Sequence, residues 1–122
     1  MIGYVTVGTN NLPRAVAFYD ALLAELGAKR MMEGEAFVAW SVSDDKPGFG
    51  VTLPFNKQAA TIGNGTMVAL VVNSKDKVHA VHAKALALGG TDEGAPGPRS
   101  EQFYAGYFRD LDGNKLNVFL GG

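Results

Sequence analysis

The sequence has no cysteine, two histidines, one tryptophan and almost no net charge. Without cysteine there is no disulfide and no thiolate nucleophile or metal ligand, which suits a cytoplasmic chain. Eleven Lys and Arg stand against twelve Asp and Glu, a formal charge of −1. That balance leaves no electrostatic footprint for nucleic acid and no basic face for a membrane. No apolar run approaches the roughly 18–20 residues of a spanning helix. The first residues lead directly into a strand pattern, so no secretion leader is expected. His79 and His82 stand three apart on one expected helix, whereas a helical pair of zinc ligands is spaced by four. His82 falls on that helix's apolar stripe and reads as a packed core histidine, His79 as a surface residue. A Ser-His or Cys-His nucleophile therefore cannot be assembled. Gly63-Asn64-Gly65 and Gly94-Ala95-Pro96-Gly97 lack the order of a phosphate loop and read as turns.

The chain does have enough apolar residues for a core, 47% of 122, and a length that fits a single domain, 1–122. Its C-terminal stretch reads as a β-hairpin. Asp112-Gly113 is a strong turn signal, and a loop of Leu111, Asp112 and Gly113 with Gly113 in the left-handed region would join the arms. That register puts Asp110 opposite Asn114 and Tyr107 opposite Asn117. One face then carries Phe103, Ala105, Tyr107, Arg109, Lys115, Asn117 and Phe119. The other carries Tyr104, Gly106, Phe108, Leu116, Val118 and Leu120, and belongs against a helix. Asp110 and Asp112 are expected to make local turn bonds.

Earlier in the chain, Tyr4 to Val7 alternates as a strand. Asn10 or Asn11 can cap a helix whose stripe is Leu12, Ala15, Val16, Tyr19, Leu22, Leu23 and Leu26, with Gly27 as the stop. Phe18 and Tyr19 read as helix packing. Residues 35–42 and 49–55 read as strands joined by a turn, and 56–65 as a polar linker. The pattern then restarts with a strand at 67–72, a Ser74 cap, a stripe of Val78, Val81, His82, Ala85 and Leu88, and a Gly89-Gly90 stop. A glycine- and proline-rich loop, 94–99, leads into the hairpin. The chain thus reads as a strand–helix–strands unit written twice, about 1–56 and about 65–122. The expected fold class is α+β: two βαβββ units forming a curved, mostly antiparallel sheet, helices on the convex side and a cavity inside.

The segments Leu12-Pro13-Arg14-Ala15-Val16-Ala17-Phe18-Tyr19 and Phe108-Arg109-Asp110-Leu111-Asp112-Gly113-Asn114-Lys115-Leu116, set in this repeat, resemble the vicinal oxygen chelate superfamily. That group includes glyoxalase I, extradiol dioxygenases, fosfomycin-resistance transferases and bleomycin-binding proteins. Leu111 replaces the proline usual in the turn, where proline is favoured without being required. The resemblance implies a divalent-ion site on the concave face, with histidines aligning at Tyr4 and Met67, a carboxylate at Asn117 and a further ligand near Thr52.

Here the chain departs from the enzymes. Phenol, thioether, amide and hydroxyl are neutral at pH 7, whereas divalent ions want imidazole or carboxylate ligands. No metal and no cofactor is therefore expected. The expected function is binding of a small organic molecule in the cavity through Tyr4, Trp40, Thr52, Met67, Arg99, Tyr107 and Asn117, in a homodimer. Arg109 is a second candidate anion contact. The alternative is a glyoxalase-type lyase or isomerase or a dioxygenase-related enzyme, with or without metal, of unknown substrate and catalytic residues, in which Tyr4 or Tyr107 would donate or accept a proton and Asn117 would polarise a carbonyl.

Overall fold

A computed structural model describes residues 1–121. The chain divides into two compact units, Met1–Ile62 and Gly63–Gly122. The division falls inside the polar stretch 56–65.

The first unit runs β1 (Tyr4–Gly8), α1 (Leu12–Ala24), β2 (Lys29–Glu33), β3 (Phe37–Ser41) and β4 (Gly48–Thr52). Its sheet order is β1-β4-β3-β2, with β1 parallel to β4 and the other pairs antiparallel. The structure selects Asn11 as the cap: its side chain accepts from the Arg14 N–H at 3.1 Å. Asn10 instead reaches forward to both backbone groups of Ala60. Val5, Val7, Val38, Trp40, Phe49 and Val51 alternate onto the helix side of the sheet. They meet Ala15, Phe18, Tyr19, Leu22 and Leu23, all buried. Phe18 is buried, as its reading as helix packing expects, whereas Val16 of the expected stripe is only half-buried.

The second unit runs β5 (Val68–Val72), α2 (Lys75–Ala87), β6 (Thr91–Ser100), β7 (Phe103–Arg109) and β8 (Lys115–Leu120). Its order, β5-β8-β7-β6, and its one parallel pair repeat the first unit's topology. Ser74 caps α2 by accepting from the Lys77 N–H at 3.1 Å, and Gly89 leaves the helix at φ +99°. The expected hairpin register is the observed one. Tyr107 pairs with Asn117, Asp110 N–H donates to the Asn114 carbonyl at 3.0 Å, and Gly113 sits at φ +90°. Phe108, Leu116 and Val118 are fully buried on the helix side with Val78, Val81 and Ala85. The α+β class and the repeated βαβββ unit stand, with the eight strands divided between two mixed four-stranded sheets.

Two elements differ from the sequence reading. Residues 94–99, read as a loop, belong to edge strand β6, whose register shifts three times against β7. An edge strand tolerates Pro96 and Pro98 because their missing N–H groups have no ladder partner to serve. Strand β2 was not foreseen. Every one of its residues is exposed, so it carries no apolar alternation to signal a strand.

Candidate functional site

The side of each sheet turned away from its own helix carries the residues of interest. In the second unit, register places Asn117 between Tyr107 and Ala69 across the strands, with Lys115 and Phe119 as its same-face neighbours along β8. Asn117 is 1% exposed, yet its side-chain Oδ1 has no hydrogen-bond partner. Buried amide oxygens are nearly always paired, so an orphan marks a place where an acceptor is available. Phe119 stacks on Phe103 with centroids 5.6 Å apart, which closes one flank of this face with apolar rings.

Tyr107 carries two cations. The Arg99 guanidinium lies 5.3 Å and the Lys115 ammonium 5.5 Å from the ring centroid. Arg99 is held by its own strand: Nη1 donates to the Gly97 carbonyl at 3.0 Å and Nη2 to the Ala95 carbonyl at 2.7 Å. Arg109 differs. It forms an ion pair with Glu93 and donates to the Gly113 carbonyl at 2.8 Å, so the hairpin consumes it. Asp110 is likewise structural: Oδ1 accepts from the Asp112 and Asn114 N–H groups and Oδ2 from the Asn114 amide, each at 2.9 Å. Met67 lies just before β5 and is exposed.

In the first unit, Tyr4 pairs with Gly48 and is 66% exposed. Its ring approaches Phe37 at 6.4 Å. Gly48 and Gly50 leave room above the strand. A Cβ on Gly48 would meet Met31 Sδ at 2.9 Å, and one on Gly50 would meet Phe37 Cε2 at 2.5 Å. The Thr52 hydroxyl is spent locally, donating to the Leu53 or Ala36 carbonyl at 2.8 and 3.2 Å. Trp40 corrects the sequence reading. It is 2% exposed, packed against Tyr19 and fixed by Nε1–H donating to Asp20 Oδ1 at 2.9 Å. Its parity with Val38 puts it on the helix side, away from Tyr4. Phe37 and Met31, which sequence reasoning passed over, occupy the Tyr4 side instead. Their signal was the Gly48-x-Gly50 alternation, which clears one face of a strand.

Both histidines are engaged outside this face. His82 is buried, with Nε2 3.1 Å from Asp92 Oδ1. The Asp92 carboxyl is held below its usual range first by the Gly94 N–H and then by His82. His79 Nε2 lies 2.6 Å from the Tyr104 hydroxyl, with the Lys75 ammonium 5.1 Å from that ring's centroid. In the first unit the Asp20 carboxyl is lowered chiefly by the Arg30 guanidinium.

The residues that the resemblance aligns with a divalent-ion site do not fit such an ion. Tyr4, Thr52, Met67 and Asn117 include no carboxylate and no imidazole. Among the described residues there is no group of three or more His, Cys, Asp or Glu that could hold one.

Comparison with known proteins gives the same architecture. A glyoxalase/bleomycin resistance protein from Albidiferax ferrireducens T118 is 34% identical over 100% of this chain and 99% of its own, with a TM-score of 0.91. The hypothetical protein SA1046 from S. aureus is 23% identical over 99% of this chain and 93% of its own, at a TM-score of 0.76. Fosfomycin resistance protein FosX from Mesorhizobium loti is 14% identical over 100% and 92%, at 0.69; these last two share the fold. No curated protein sequence matches the chain significantly. The family model of the Glyoxalase/Bleomycin resistance protein/Dioxygenase superfamily matches residues 1–118, and the chain belongs to that superfamily.

Proposed function

We propose that this protein is a cytoplasmic, homodimeric member of its superfamily that binds a small organic molecule without a catalytic metal. The open face of the second sheet supplies the polar anchor. The observation that carries this reading is Asn117 Oδ1, an acceptor withdrawn from water and left without a donor. A ligand hydroxyl, amide or ammonium placed there satisfies a group whose desolvation otherwise costs about 1–3 kcal/mol. Tyr107 and Phe119 add aromatic surface beside it, the usual mixture of an apolar wall and a few polar groups. The neutral donors at the family's metal positions support a ligand held by contacts rather than by a Lewis acid.

The test is a thermal-shift screen of purified protein against drug-like fragments, run with EDTA and again with nickel, zinc, manganese or iron(II). Ligand binding raises the melting temperature by mass action. The reading expects hits that survive EDTA and vanish in Asn117→Leu. Hits that require stoichiometric metal overturn it, and a complete absence of hits favours a scaffold with an unused face. Light scattering after size exclusion tests the dimer, which a monomer at micromolar concentration would refute.

A further inference from the structure

We infer that the ligand is a small organic anion: a planar molecule whose carboxylate or phosphate meets Arg99 or Lys115, the two cations beside Tyr107, and whose donor reaches Asn117 Oδ1. The inference rests on the small-molecule reading above and adds the charge and shape of the occupant. Three adjacent strands bring the groups together: Arg99 from β6, Tyr107 from β7, and Lys115 and Asn117 from β8.

Charge is the first argument. Arg99 and Lys115 both lie over the Tyr107 ring, at 5.3 and 5.5 Å from its centroid. Among the described residues neither joins an ion pair, whereas Arg109 on the same face is neutralised by Glu93. Two cations without a carboxylate partner beside one ring leave this stretch of the face electropositive, and a bound anion neutralises it. The ring's negative face offsets it in part, which keeps both cations beside the aromatic surface when the site is empty.

Preorganisation is the second argument. The carbonyls of Gly97 and Ala95 take two of the five guanidinium N–H donors of Arg99, which leaves three for a ligand. Those carbonyls also fix the direction of a side chain that is otherwise rich in rotamers, so less entropy is lost when an anion arrives. Gly94 makes the arrangement possible. A Cβ there would stand 3.1 Å from Arg99 Nη2 and 3.3 Å from Tyr107 Cδ1, tight against both.

Asn117 supplies the third argument, since its orphan oxygen demands a donor while the flanking cations demand an acceptor. A molecule carrying a donor at one end and an anionic group at the other meets both demands. Neutral and cationic molecules meet only the first.

The experiment uses four probes: 4-hydroxybenzoate, its neutral analogue 4-hydroxybenzamide, the cationic 4-hydroxybenzylamine, and 4-hydroxyphenyl phosphate. Binding is followed by saturation-transfer NMR and calorimetric titration. The carboxylate, the phosphate or both are expected to bind at least about tenfold more tightly than the amide and amine, the value of one charge-assisted hydrogen bond. Comparing carboxylate with phosphate tells which anion the site prefers. Arg99→Gln and Lys115→Gln together should weaken the anion by about tenfold and narrow its advantage over the amide. Both positions are partly or fully exposed, so the variants keep the fold, which a melting curve checks. Equal binding of amide and carboxylate overturns the anion inference and leaves the small-molecule reading intact. Anion affinity unchanged in the double variant also overturns it. Silence from all four probes, alongside a fragment screen with hits elsewhere in chemistry, refutes the anion alone; silence in both refutes both.

Discussion

His82 Nε2 and Asp92 Oδ1 meet at 3.1 Å, joining α2 to the edge strand β6. The Asp92 carboxyl also accepts the Gly94 N–H at 2.9 Å, and the two contacts hold its pKa below the ordinary value of 3.8. A depressed carboxyl stabilises the fold above its unfolded pKa, and the contribution disappears as pH falls through the folded value. Melting temperature should therefore fall on acidification from about pH 5 to about pH 3, and fall less steeply in Asp92→Asn, which cannot titrate. Parallel curves for the two proteins would show that this contact carries none of the acid sensitivity.

Asp20 serves two partners: Arg30, in a bidentate ion pair, and the buried indole of Trp40. The ion pair is partly exposed and contributes little. The indole N–H is the costly one to orphan. Asp20→Ala should destabilise the protein by about 1–3 kcal/mol, and Asp20→Asn by less because the amide oxygen still accepts. Chemical denaturation measures both, and equal losses would shift the weight to the ion pair.

Gly90 closes α2 under backbone that cannot yield. A Cβ there would stand 2.7 Å from the Arg109 carbonyl oxygen and 2.8 Å from that of Ala85. Gly90→Ala should cost about 1–3 kcal/mol, the range for overpacking, by moving the helix end off β7. Gly3→Ala, where a Cβ meets nothing within 4 Å, is the matched control and should leave the denaturation midpoint in place.

Asn117→Leu separates binding from folding. Replacing an unpaired buried amide by an apolar side chain of similar size should be neutral or stabilising by up to about 1 kcal/mol. The same variant should lose ligand-induced thermal shifts. A loss of more than about 1 kcal/mol without ligand would mean that the amide is already satisfied in the free protein.

The hairpin was legible because its information is local. A two-residue turn signal and strict alternation fix Tyr107 opposite Asn117, whatever the rest of the chain does. The caps at Asn11 and Ser74 and the stripes of both helices were legible for the same reason. Strands β2 and β6 were not: one is exposed throughout, its two methionines adjacent rather than alternating, and the other spends its residues on glycine and proline at a sheet edge. Missing β6 hid the meeting of Arg99 with Tyr107, which depends on strand order and not on spacing. Trp40 was read as part of the ligand face although parity with Val38 already placed it beneath the helix. Large aromatics draw attention as ligand contacts, yet here the indole is spent on holding Asp20.

Pro96 and Pro98 have a consequence beyond their own strand. With three breaks in pairing and two positions unable to donate, β6 offers an incoming chain no continuous ladder to extend. The opposite border of that sheet, β5, is Val68-Ala69-Leu70-Val71-Val72, with every amide hydrogen intact. Any self-assembly that grows this sheet by strand addition must begin there, so a proline placed at Val71 should silence it.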